Sequence, residues 1–131
     1  MAGKLRLASA AELRGMNEKA FLKQVVALAR HLGWRWYHTF ISKGSDPGFP
    51  DLVLVRQGFP VVFAELKSER GKLTESQAEW IALLSQNCLH RAFVWRPSSW
   101  DEIVGTLQGG EILQRGWPPV GDCAVRQPAG G

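Results

Sequence analysis

Residues 48 to 67 read GFPDLVLVRQGFPVVFAELK, and this stretch does most to limit what the chain can fold into. Two apolar runs rich in β-branched residues are joined through Arg56-Gln57-Gly58-Phe59-Pro60, a connection short enough for a hairpin. An antiparallel strand pair therefore belongs at the centre of the chain. Each run also carries an acid where a buried strand ordinarily has none, Asp51 in the first and Glu65 in the second. A hairpin symmetric about Gly58 makes the two direct cross-strand neighbours, about 5 Å apart on one face. Like charges so placed repel, and apolar surroundings leave them poorly solvated. Lys67, two residues beyond Glu65, falls on the same face about 6 to 7 Å along the strand. That face carries two carboxylates and one ammonium.

The elements around the hairpin follow from periodicity. Phe21, Val25, Leu28 and Leu32 recur at helical spacing, with Asn17 as N-cap and Gly33 as stop, which predicts a helix over about 17 to 32. The alternating WRWYHTFI predicts a strand over about 34 to 41, and SKGSDPGFP is turn chemistry. After the hairpin, Thr74 and Gln77 have capping-box spacing and open a second helix, on which Gln77, Ile81, Leu84 and Cys88 share a face. HRAFVWR is a fourth strand, and after Pro97 either Ser98 or Ser99 caps a last helix ending near Leu107. The order α-β-β-β-α-β plus a C-terminal helix is an α/β fold with a mixed sheet. A chain of 131 residues is one domain's worth. The expected division is an N-terminal extension over 1 to 15, a domain over 16 to 108 and a Gly/Pro-rich tail over 109 to 131.

Composition bears on partners and compartment. The net charge of +4 is uneven: residues 1 to 35 hold seven Lys/Arg against Glu12 and Glu18, whereas residues 74 to 131 hold four basic against six acidic residues. A basic first third suits a polyanionic partner, although many basic proteins bind no nucleic acid. No apolar run approaches the roughly 20 residues of a membrane helix, and the amino terminus lacks the apolar core of a secretory signal. Cys88 and Cys123 have no metal-type spacing, so the expected compartment is the reducing cytoplasm.

Each polar residue singled out has an ordinary explanation. Asp51, Glu65 and Lys67 could be a surface pair at an exposed strand end, should the register slip. Glu18 is a first-turn acid favoured by the helix dipole, and Gln77 completes a capping box. Yet Glu18 lies three positions before Phe21 and so continues the helix face turned to the sheet. Glu18, Asp51, Glu65 and Gln77 come from separate elements and could converge beside Lys67. Such oxygen ligands suit Mg²⁺, or Mn²⁺ as substitute, and not zinc, because His31, His38 and His90 do not cluster with the cysteines. A divalent ion held by Asp51 and Glu65 would relieve their repulsion, leaving Lys67 to orient or deprotonate a water. This is apparatus for phosphodiester hydrolysis.

Pro50-Asp51 followed by Glu65-Leu66-Lys67 resembles the PD-(D/E)XK signature of restriction-endonuclease-like nucleases. The ensemble of Glu18, GFPDL, AELK, GKLTESQAEW and FVWRP resembles the VRR-NUC branch of that superfamily, in its small stand-alone phage and bacterial form. The resemblance covers about residues 16 to 107. It implies Mg²⁺-dependent endonuclease cleavage of DNA, with Asp51, Glu65 and the main-chain carbonyl of Leu66 as metal ligands. Lys67 would be the catalytic lysine, Glu18 would reach the metal directly or through water, and Gln77 would steady the water or the phosphate. Stand-alone members of this type are similar in size to homodimeric Holliday-junction resolvases, so branched DNA is the expected substrate, and a domain this small would cut two strands most simply as a homodimer.

Lesser expectations concern surface residues. Lys43 and Ser45, or Lys19, Lys23, Arg70 and Lys72, are either phosphate contacts or solvated surface. Trp34, Trp36, Trp80 and Trp95 are expected to build core or an interface rather than stack on bases, and Cys88 to pack inward. His38 is assigned no role. Two competing readings remain: a non-catalytic DNA-binding or recruitment module on the same fold, and a sequence-specific restriction-type endonuclease. A pure binding module has no need of Asp51, Glu65 and Lys67 together.

Overall fold

The computed structural model describes residues 6 to 39, 44, 46 to 86 and 90 to 109. Helix α1 (Ala10–Arg14) is followed by α2 (Glu18–His31), β1 (Arg35–His38), β2 (Leu52–Val55), β3 (Val61–Leu66), α3 (Glu75–Ser85), β4 (His90–Trp95) and α4 (Trp100–Gln108). The strands form one sheet in the order β1-β2-β3-β4. β1, β2 and β3 are antiparallel neighbours, and β4 joins β3 in parallel after the α3 crossover. Hairpin pairing brings Leu52 opposite Ala64 and Leu54 opposite Val62, the register expected from symmetry about Gly58.

Helix α2 forms where the pattern demands it. Asn17 Oδ1 accepts the Ala20 N–H at 2.8 Å, and Gly33 ends the helix at φ 89°. Its inner face places Phe21, Val25, Leu28 and Ala29 against Leu52, Leu54, Val62, Ala64, Leu66 and Trp95 of the sheet, with Ile103 and Leu107 of α4 completing the core. Each fully buried side chain of Leu or Phe size contributes about 1.5 to 3 kcal/mol. Trp34 belongs to this core, and its Nε1–H donates to the Leu107 carbonyl at 2.8 Å, tying the start of β1 to the end of α4.

Three local features differ from expectation. The N-terminal extension contains α1, held by a Ser9/Glu12 capping box, and buries Leu13 in the core. A helix of five residues is too short to show a period. β1 is shorter than expected, ending at His38, with residues 40 and 41 outside the described set. The last helix is entered through a 3₁₀ turn (Pro97–Ser99), and the Ser99 hydroxyl accepts from Arg96 N–H instead of capping α4. Pro97 fixes the backbone for that turn and removes the competing donor. Lys43, Ser45, Cys88, Cys123 and the tail from residue 110 lie outside the described residues.

Candidate metal centre

At one end of β3 the starts of two helices meet the hairpin. Glu18 is the first residue of α2 and Gln77 the third of α3, while Asp51 immediately precedes β2 and Lys67 immediately follows β3. One carboxylate oxygen each from Glu18, Asp51 and Glu65 lies within 4.8 Å of the others. Lys67 Nζ stands 3.9 Å from both Glu18 Oε1 and Glu65 Oε1. The four charged residues of the sequence expectation, and Gln77 with them, are thus brought to one place.

The hairpin register continues into side-chain bonds here. The Asp51 N–H donates to Glu65 Oε2 at 3.2 Å, and the Leu66 N–H donates to Asp51 Oδ2 at 2.9 Å. The two acids therefore lock each other where the backbone ladder stops. Glu65 is only 1 % exposed, and its other oxygen accepts from Gln77 Nε2 at 2.9 Å. Gln77 serves two purposes at once: its Oε1 accepts the Thr74 N–H at 2.9 Å, completing the capping box. The cap aims the amide nitrogen at Glu65.

Burial, then the neighbouring Asp51 charge and a side-chain hydrogen bond with that acid, push the Glu65 carboxyl up to about 8, against the opposing pull of Lys67 and of the Asp51 N–H. A buried acid crowded by two more carboxylates is a strong acceptor for positive charge. The donors are all hard oxygens, so the residues present fit a Mg²⁺- or Mn²⁺-type ion.

Asp51 is delivered by a loop that docks on α3. Gly48, at φ 90°, lies so close to Ser76 that a Cβ would stand 2.5 Å from the Ser76 carbonyl carbon. Phe49 packs edge-on against Trp80 and Phe63, the Trp80 Nε1–H donates to the Pro47 carbonyl at 3.1 Å, and Pro50 is buried. Sequence reasoning gave this loop its turn chemistry and a candidate phosphate contact, but not its docking on α3. It also missed Arg96, whose guanidinium Nη1 donates to the carbonyls of Ser68, Glu69 and Gly71 and so pins the segment that follows Lys67. The one signal was a cation at a strand end.

Two open cavities flank the cluster. One, about 550 Å³, runs along α2 past Leu22, Val26 and Trp36 and reaches Glu18, Asp51 and Leu66. The other, about 640 Å³, lies toward α3 and includes Tyr37, Phe49, Trp80, Asp51 and Gln77. Asp51 stands between them.

The VRR-NUC domain model matches residues 4 to 95, more than half of the chain. The chain belongs to the VRR-NUC family. Members of this family are generally nucleases, which makes nucleic acid the partner class. A solved structure of a protein described as a VRR_NUC domain protein superposes with a TM-score of 0.55 at 20 % identity, covering 72 % of this chain and 87 % of the other. At that identity the likeness is one of fold, and it agrees with the mixed sheet of this VRR-NUC chain. No curated protein matches the sequence. Among the described residues no helix is long and apolar enough to cross a membrane.

Proposed function

We propose that this VRR-NUC protein is a Mg²⁺-dependent, structure-selective DNA endonuclease that hydrolyses phosphodiester bonds in branched DNA such as Holliday junctions, acting as a homodimer. The observation that carries the catalytic reading is the cluster of three carboxylates within 4.8 Å, with the Lys67 ammonium 3.9 Å from two of them. Asp51, Glu65 and the Leu66 carbonyl would hold the ion, with Glu18 reaching it directly or through water. The chemistry such an ion supplies is activation of water and neutralisation of charge on the scissile phosphate.

The protein's own groups do the rest. Lys67 Nζ orients or deprotonates the attacking water. Gln77 is a positioning residue, holding the Glu65 carboxylate through a 2.9 Å bond while its other end is fixed by the helix cap. Cutting two strands of a junction is simplest with two copies related by a two-fold axis.

The test is cleavage of a labelled four-way junction beside flap, nicked, single-stranded and linear duplex DNA, with Mg²⁺ and with EDTA. Paired, Mg²⁺-dependent cuts in the junction, with linear duplex spared, are expected. Lys67→Ala should reduce cleavage by about 10² to 10⁴-fold with DNA binding kept, and Asp51→Asn should weaken metal binding as well. Wild-type turnover by the Lys67 variant would refute the site. Junction binding without any cleavage would favour a recruitment module, and discrete cuts at one sequence in linear DNA a restriction-type enzyme.

A further inference from the structure

The cavity along α2 is built unlike the rest of the surface around the cluster. Leu22, Val26, Ala27 and Trp36 give it an apolar floor, and Lys19, Lys23 and Arg30 stand along its rim. Those three cations are exposed on one helix, Lys19 and Lys23 a turn apart and Arg30 two turns further on, and one end of the cavity opens on Glu18, Asp51 and Leu66. We propose that this groove holds an unpaired nucleotide of the strand being cut, its base on the Leu22/Val26/Ala27/Trp36 floor and its phosphates on the Lys19/Lys23/Arg30 rim.

The argument is one of matching chemistry. A cationic edge with an apolar and aromatic floor fits a strand whose bases are free to leave the stack, because a paired base keeps its faces inside the duplex. About 550 Å³ is in the range of cavities that hold small organic ligands, which includes a single nucleotide. A second copy of this chain is the poorer occupant. In a two-fold contact over this face the Lys19/Lys23/Arg30 row would meet its own image, and the two acids at the cavity's end, Glu18 and Asp51, belong to the carboxylate cluster, Glu18 already within 3.9 Å of Lys67. The cavity on the α3 side has aromatic walls, yet its described lining contains Asp46 and no Lys or Arg to receive a phosphate.

This inference rests on the nuclease reading and adds to it a reason for structure selectivity: the cut is placed beside a nucleotide that can unstack. The experiment uses the full chain, with Ca²⁺ replacing Mg²⁺, and a splayed-arm DNA carrying 5-iodouracil at single unpaired positions beside the branch. After irradiation, peptide mapping is expected to place the crosslink on Trp36 from positions next to the branch, with none from the matching linear duplex. Ala27→Glu fills the half-buried floor with a carboxylate, and Lys23→Glu reverses the charge of an exposed rim residue. Both are expected to lower the Trp36 crosslink about tenfold or more, and the second keeps the test valid should the first not fold.

Crosslinks from bound DNA that map only to Tyr37, Phe49 or Trp80 would overturn the groove assignment while leaving the nuclease reading intact. So would unchanged crosslinking in both variants. A change of oligomeric state in Ala27→Glu with crosslinking kept would make the groove a self-interface. No DNA binding and no Mg²⁺-dependent cleavage would remove both readings together.

Discussion

Glu65 is the residue on which the site's stability turns. It is buried at 1 % exposure, faced by Asp51 before β2, Lys67 after β3, Gln77 on α3 and Glu18 on α2, and its carboxyl is pushed from 4.5 up to about 8. Between those two values the folded chain holds a proton that the unfolded chain has released. Without metal, stability therefore falls as pH rises from about 4.5 through about 8, below which range both states are protonated and above which both are ionised. Each unit of the shift is worth about 1.4 kcal/mol. Thermal unfolding in EDTA should show the wild type losing stability across that window and Glu65→Gln losing less, so that the variant is the more stable form at high pH. Mg²⁺ should then stabilise the wild type chiefly at high pH, because the ion competes with the proton for the same oxygens. Parallel pH profiles for the two proteins would show that the Glu65 proton is not the linked one.

Between the elements, the loop before β2 has the least room to change. Gly48 and Gly58 have nearly the same φ, 90° and 86°, but a Cβ at Gly48 would strike the Ser76 backbone whereas one at Gly58 meets nothing within 4 Å. Gly58→Ala should therefore cost only the left-handed conformation, about 1 to 2 kcal/mol, with cleavage kept. Gly48→Ala should cost more and depress cleavage, because the loop must leave α3 and carry Asp51 with it. Equal losses in the two variants, read by denaturant melts and junction cleavage, would dismiss loop docking as the device that sets Asp51. The contrast also shows what a sequence can disclose. Strand register, the Asn17 and Thr74 caps and the α2 core face are governed by neighbours and by period, and all were readable, as was the meeting of Glu18, Asp51, Glu65 and Gln77 beside Lys67. The Gly48 approach to Ser76, the Arg96 clamp on Ser68 to Gly71 and the second bond of Gln77 join residues far apart in the chain. No local pattern carries them.

For the molecule as a whole, charge and shape act together. The basic excess of residues 1 to 35 noted from sequence becomes, in part, the Lys19/Lys23/Arg30 row on α2, which ends at the acidic cluster. A polyanion drawn to that row is brought to three carboxylates that would repel it unless a divalent ion lies between, so binding strength and metal loading should be coupled. Arg56 offers the comparison: it follows β2 at the end away from Asp51, and its guanidinium stacks 4.7 Å above the Phe59 ring. Neutralising a phosphate contact lowers the slope of log affinity against log salt by about 0.7 for a single strand and about 0.9 for a duplex. Lys23→Gln and Arg30→Gln should each reduce the slope by about that much on branched DNA, measured by fluorescence anisotropy in Ca²⁺, and Arg56→Gln should leave it unchanged. If all three variants kept the wild-type slope, the row on α2 would be solvated surface, and the phosphate path to the cluster would have to approach from the α3 side past Tyr37 and Phe49.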